Sequence, residues 1–187
     1  MSAKIQGPTE LTIIRQESFR VHVGTAAWAN PPRERAKRGP VSHLIHYSKS
    51  FDAVEVNSSF YRSHRHATYE RWRDITPANF QFSVKMPRSV THECALRRCR
   101  SELRQFLDEI SGLGRKLRVI LVQLPASLAF ESRVSGRLFE SLASHSPVRV
   151  ACEPRHKSRW QAARRLAQTR LLSSPRLPGN VLLGVRW

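Results

Sequence analysis

The sequence predicts an α/β fold with a parallel sheet of about five βα units, and three observations predict it. Short β-branched runs recur along the chain. Segments with helical spacing separate them, so that successive strands start roughly thirty residues apart. Within each run, one alternating set of side chains is apolar and the other ends in a polar group.

Taken in order, residues 1–18 are polar and patternless and read as a leader. The predicted strands are Phe19–Val23, Ala53–Val56, Phe80–Val84, Val119–Leu124 and Val148–Cys152, with a doubtful sixth in Val181–Val185. The clearest helix is Ser101–Leu113, where Leu103, Phe106, Leu107 and Ile110 fall at i, i+3, i+4 and i+7. Ser101 is the expected N-cap, and Gly112 and Gly114 are expected to end the helix. Tyr69, Trp72 and Ile75 share a second helical face before Pro77, and Val134, Leu138, Phe139 and Leu142 share a third.

Composition bounds the function. The chain of 187 residues carries 32 Lys plus Arg against 14 Asp plus Glu, a net charge of +18, with 26 of the cations being Arg. Such a balance favours phosphates, nucleic acid or anionic surfaces as partners. The plainer reading is scattered, solvated arginine, because no long basic run or nucleic-acid motif is present. Three cysteines, with no CxxC pair, cannot close a disulfide framework and suit a reducing compartment, the cytoplasm. The longest apolar stretch, Val119–Phe130, is 12 residues and contains Gln123 and Pro125, too short to span a bilayer. No membrane partner is expected.

Strand periodicity places the chemistry. Val54 and Val56 oppose Ala53, Glu55 and Asn57, and Phe82 and Val84 oppose Ser83 and Lys85. Ile120, Val122 and Leu124 oppose Val119, Leu121 and Gln123, while Val148, Val150 and Cys152 oppose Arg149, Ala151 and Glu153. Four strands thus carry polar groups at the same, C-terminal end, where parallel α/β folds build their sites. Two readings stand: a functional site, or a satisfied polar plug in which Lys85 neutralises Glu55 or Glu153. The loops just after these strands add Tyr61, His92, Arg155 and His156. Both histidines titrate near neutrality and suit proton transfer or metal ligation.

These segments resemble the family called domain of unknown function 72, or YecE-like proteins. The resemblance rests on Val23–Trp28, Phe51–Arg62, Phe82–Pro87 with Thr91-His92, Leu121–Pro125 and Cys152–His156. It covers roughly residues 21–158 and implies a TIM-like (β/α) barrel with a polar pocket at the strand C-termini, here incomplete. It implies no reaction. Family members continue with further βα units bearing an Arg-x-His-Gly motif and a Phe-x-Asn segment, both missing here. From Pro154 to Trp187 there are eight Lys or Arg and no acid. Residues 19–158 therefore read as a partial barrel and 159–187 as a divergent basic tail, the mark of a truncated or frameshifted product or of a short variant. An unclosed parallel sheet exposes edge strands, so oligomerisation or aggregation is expected.

Two functional hypotheses follow. In the first, a hydrolase or lyase acts on a small anionic, perhaps phosphorylated, substrate. Glu55, Glu153 and His92 transfer protons, Lys85 neutralises charge, and Asn57, Tyr61, Gln123, Arg155 and His156 bind substrate. A divalent metal held by Glu55 and Glu153 with His92 or His156 is a variant of it, although no tight ligand motif occurs. In the second, the chain is a nucleic-acid-binding module using its charge with Trp28, Tyr61 and Trp72. Omitting residues 154–187 lowers the net charge to +10 (24 basic minus 14 acidic), so much of the basic signal lies in the tail. A truncated product without activity is the remaining reading.

Overall fold

A computed structural model describes residues 21–28, 40–129, 131–146, 148–156, 158 and 181–183. The expected leader, residues 1–18, and nearly all of the expected tail lie outside the described residues. In chain order the elements are β1 (Gly24–Ala26), α1 (Pro40–Tyr47), β2 (Ala53–Val56), α2 (His66–Asp74), β3 (Gln81–Lys85), α3 (Arg100–Ser111), β4 (Leu117–Leu124), α4 (Ser132–His145), β5 (Arg149–Pro154) and β6 (Val181–Leu183). A 3₁₀ turn at Ser58–Phe60 follows β2, and a single π turn at Ser89–Glu93 follows β3. The six strands form one sheet in the order β1-β2-β3-β4-β5-β6, each parallel to its neighbours.

The alternation read from the sequence is the alternation of burial. Val54, Val56, Phe82, Val84, Ile120, Val122, Leu124, Val150 and Cys152 are buried, and they share one core with Leu44, Tyr47, Tyr69, Leu103, Phe106, Ile110, Leu138, Phe139 and Leu142 from the helices. Each fully buried aliphatic or Phe side chain contributes about 1.5–3 kcal/mol. Helix-contributed apolar side chains thus share the core of the apolar sheet face, and the residues of the other alternating set face away from it.

The first strand is a correction. It lies at Gly24–Ala26, not at Phe19–Val23, and Phe19 itself lies outside the described residues. Apolar alternation picked Val21 and Val23, which are exposed. What fixes β1 is polar. The Tyr47 hydroxyl accepts from the Thr25 N–H at 2.7 Å and donates to the Ala53 carbonyl at 2.9 Å. One Asp52 carboxylate oxygen accepts from the Val23 N–H at 2.7 Å, and the other pairs with His22 at 2.8 Å. Gly24 is required by this pairing, since a Cβ there would sit 1.9 Å from the Ala53 carbonyl oxygen.

Helix α3 begins one residue before the expected cap. Its N-cap is Cys99, with no side-chain cap bond, and Ser101 instead donates to Glu102 Oε2 at 2.9 Å. The two glycines at its end do different work. Gly112 has an ordinary helical φ of −56°, but a Cβ there would lie 2.7 Å from the His66 carbonyl oxygen, so its size lets α3 meet α2. Gly114, at φ +52°, supplies the left-handed residue. Next to it, Lys116 reaches across to α2 and donates to the Arg73 and Thr76 carbonyls, the latter at 2.8 Å. These carbonyls at the helix end have no partner inside the helix.

Two substitutions test this junction by urea unfolding. Gly112→Ala should cost about 1–3 kcal/mol, as overpacking against backbone does. Lys116→Met should cost about 1–3 kcal/mol, because it takes the lysine donor from the Thr76 carbonyl just past α2 and leaves that of Arg73 with the Thr76 hydroxyl alone. An unchanged midpoint in both would show that α2 and α3 are not locked here.

Candidate functional site

The polar ends of β4 and β5 meet directly. Gln123 and Glu153 are register partners on the face turned away from the helices, and the Gln123 amide donates to Glu153 Oε2 at 2.8 Å. Arg155, just past the strand, donates through Nε to Glu153 Oε1 at 3.2 Å. Both carboxylate oxygens are therefore held, and the Glu153 side chain is only 13% exposed. A carboxylate of this exposure needs such partners, because burying an unpaired charge is costly.

Next to this group, β3 and the turn after β2 are clamped together. The buried Ser59 hydroxyl lies 2.8 Å from the Val56 carbonyl and 2.6 Å from that of Lys85, tying the turn to both strands. This places the Phe60 ring under the Lys85 ammonium, 4.5 Å from ring centroid to Nζ. The His92 ring packs on the same Phe60, centroids 5.0 Å apart and edge to face. Phe60 is the spacer that brings a cation from β3 and an imidazole from the following turn to one place.

The Thr91 hydroxyl lies 2.8 Å from His92 Nδ1 and 3.1 Å from the Pro87 carbonyl oxygen. In the tautomer that carries its hydrogen on Nδ1, Thr91 accepts from the ring and Nε2 holds the lone pair. Burial holds the imidazole below its ordinary pKa. Arg88, Lys85 and Arg155 push the same way, and Glu93 opposes them. His92 is thus a neutral ring in a cationic neighbourhood at neutral pH.

The other predicted residues sit less centrally. Glu55 pairs in register with Ser83, four rungs below the level of Gln123 and Glu153, and joins neither of their hydrogen bonds. Asn57 precedes the 3₁₀ turn, and its Oδ1 is buried without a hydrogen-bond partner among the described residues. Tyr61 is 70% exposed on the rim, stacked edge to face on Phe60. His156 is engaged locally by Ser158, whose N–H donates to its Nδ1 at 3.1 Å. Sequence reasoning places Ser59, Phe60 and Thr91 in the loops beside the site without giving them a role, and it missed Arg88. The first two follow directly on the polar end of β2, a position that singles them out once the strand register is known.

The residue types expected to ligate a metal do not assemble. Among the described residues, no group of three or more His, Cys, Asp or Glu is placed to hold an ion, so Glu55, Glu153, His92 and His156 are not a ligand set here. No described helix is long and apolar enough to cross a membrane.

Known proteins resemble this chain in sequence and in fold. A family model described as "Protein of unknown function DUF72" matches residues 22–177. The UPF0759 protein YecE of Escherichia coli strain K12, and that of E. coli O157:H7, are each 30% identical over 107 residues, 57% of this chain and 38% of theirs. Two crystal structures of a DUF72 family protein from Enterococcus faecalis V583 superpose with TM-scores of 0.61 and 0.64. Their identities are 18% and 19%, and the matches cover 81% and 82% of this chain but 58% and 57% of those chains. At such identities the likeness is one of fold. The chain spans less than two thirds of these relatives' length, and the family match runs past residue 158 into the basic stretch. With most of its length matched by the family model and its parallel sheet matched by a member's structure, the chain belongs to the DUF72 family.

Proposed function

We propose that the C-terminal ends of these strands form the mouth of a (β/α) barrel that binds a small phosphorylated or otherwise anionic substrate and acts on it as a hydrolase or lyase. The register supports the barrel. Moving from Glu55 on β2 to Lys85 on β3 climbs two rungs, and from Lys85 to Gln123 on β4 two more, while Glu153 on β5 is level with Gln123. In a flat sheet of straight strands this would separate Glu55 from Glu153 by about 13 Å along the strand direction. Barrel strands are tilted and sheared by about one residue per strand, which returns a climbing series towards one height.

The observation that carries the reading is the company of His92. Lys85, Arg88 and Arg155, from two different loops and a strand, all bear on one neutral imidazole. An anion placed among them would meet three cations, of which Arg88 already pairs with Glu93 and Arg155 with Glu153, and a ring nitrogen at Nε2. In the hydrolytic form, water gives a proton to Nε2 as its oxygen attacks the substrate, and Lys85 neutralises the charge that develops. As the bond to the leaving oxygen breaks, that oxygen takes its proton from the His92 imidazolium, and Glu153, oriented by Gln123 and Arg155, takes up the second proton of the attacking water.

The sign of the pH effect is fixed by these contacts. In the free protein the His92 pKa lies below 6.5. Inorganic phosphate should raise it, because an anion offsets the cations that now disfavour the imidazolium. Titration of the His92 ring protons by NMR, with and without phosphate, measures this. A pKa that phosphate leaves in place would reject the anion site. Lys85→Met should weaken phosphate binding at least tenfold, about 1.4 kcal/mol, whereas Glu153→Gln should leave phosphate binding within a fewfold and reduce turnover of any substrate found.

A further inference from the structure

Beside the mouth lies a cavity of about 270 Å³, and the two share walls. Phe60, which carries Lys85 and His92 on its ring, also lines the cavity, as does Arg88. Arg62 and Glu93, the latter paired with Arg88, line it too, and the wall formed by α3 is acidic. Glu102, Gln105 and Glu109 project from α3 at i, i+3 and i+7, the spacing of one helical face. The bonds to Glu109 from Ser63 and from Gln105, the latter at 2.8 Å, both fall on Oε1, and a carboxylate has about four acceptor positions. Glu102 accepts from Ser101, and this bond with its own backbone N–H keeps its pKa low, so it is ionised at neutral pH. Exposed Tyr61 stands at the lip.

Resting on the anion-site reading, we infer that this cavity is the subsite for the hydroxyl-bearing body of a sugar phosphate whose phosphate sits at Lys85, Arg155 and His92. Charge orients the ligand. A phosphate is repelled by the carboxylates of α3 and drawn to the cations across Phe60. Hydroxyl groups, being donors, suit Glu102 and Glu109, which can only accept. The flat face of Tyr61 suits the apolar face of a sugar ring. Inorganic phosphate uses the mouth alone, and an unphosphorylated sugar uses the cavity alone. Only the phosphorylated sugar spans both.

Calorimetric titration of the full 187-residue chain with glucose 6-phosphate, inorganic phosphate and glucose tests this. Glucose 6-phosphate should bind about tenfold more tightly than inorganic phosphate, the effect of one or two net hydrogen bonds. Tyr61→Ala and Glu109→Gln should each remove most of that advantage while leaving the affinity for inorganic phosphate unchanged. Tyr61 is exposed, so its variant reports on binding even where Glu109→Gln disturbs the fold. Equal affinities for the two phosphates, or variants that leave the advantage intact, overturn the subsite alone. Failure of both phosphates to bind overturns the anion mouth and the subsite together.

Discussion

Everything in this molecule depends on the two-sidedness of its parallel strands. A strand offers alternate side chains to opposite faces, and a face covered by helices admits only apolar ones. Val54, Phe82, Ile120 and Val150 meet that demand, each with the buried partner two residues along its strand. The polar members of each strand are thereby confined to the opposite face. Because the strands are parallel, the groups at their C-terminal ends share one edge of the sheet. The site is a consequence of how the core is sealed.

Alternation brings groups to the same edge but not into contact. Contact comes from the turn after β2. Ser59 pins that turn to the carbonyls at the ends of two strands, and Phe60 then fixes where the Lys85 ammonium and the His92 ring lie. The Thr91 hydroxyl engages Nδ1 of that ring. On the other side, Gln123 and Arg155 occupy both oxygens of Glu153. His92 and Glu153 are thus each held by neighbouring side chains, the arrangement that the proposed chemistry would need.

Much of this was legible in the sequence, and the limits have physical causes. Strands β2 to β5 were readable to within two residues at each end, because strict alternation beside helices leaves little freedom. Strand β1 was misplaced because its pairing is fixed by the Tyr47 hydroxyl, Asp52 and the size of Gly24, none of which leaves an apolar period. Lys85, Gln123, Glu153, Arg155 and His92 were readable as one end of a sheet. Phe60 was not, since its role depends on a lysine 25 positions away in another strand. The local bond by which Ser158 engages His156 likewise leaves no periodic signal.

The central claim is that the many cations of this chain act at one built site rather than as a diffuse positive surface. The most direct measurement is the change in backbone amide shifts as inorganic phosphate is titrated into isotope-labelled protein. The account predicts saturable changes confined to the strand-end loops, around Ser58–Arg62, Lys85–Glu93 and Glu153–Arg155. Changes spread over the exposed arginines of α3 and α4, Arg100, Arg104, Arg133 and Arg137, without saturation, would contradict it.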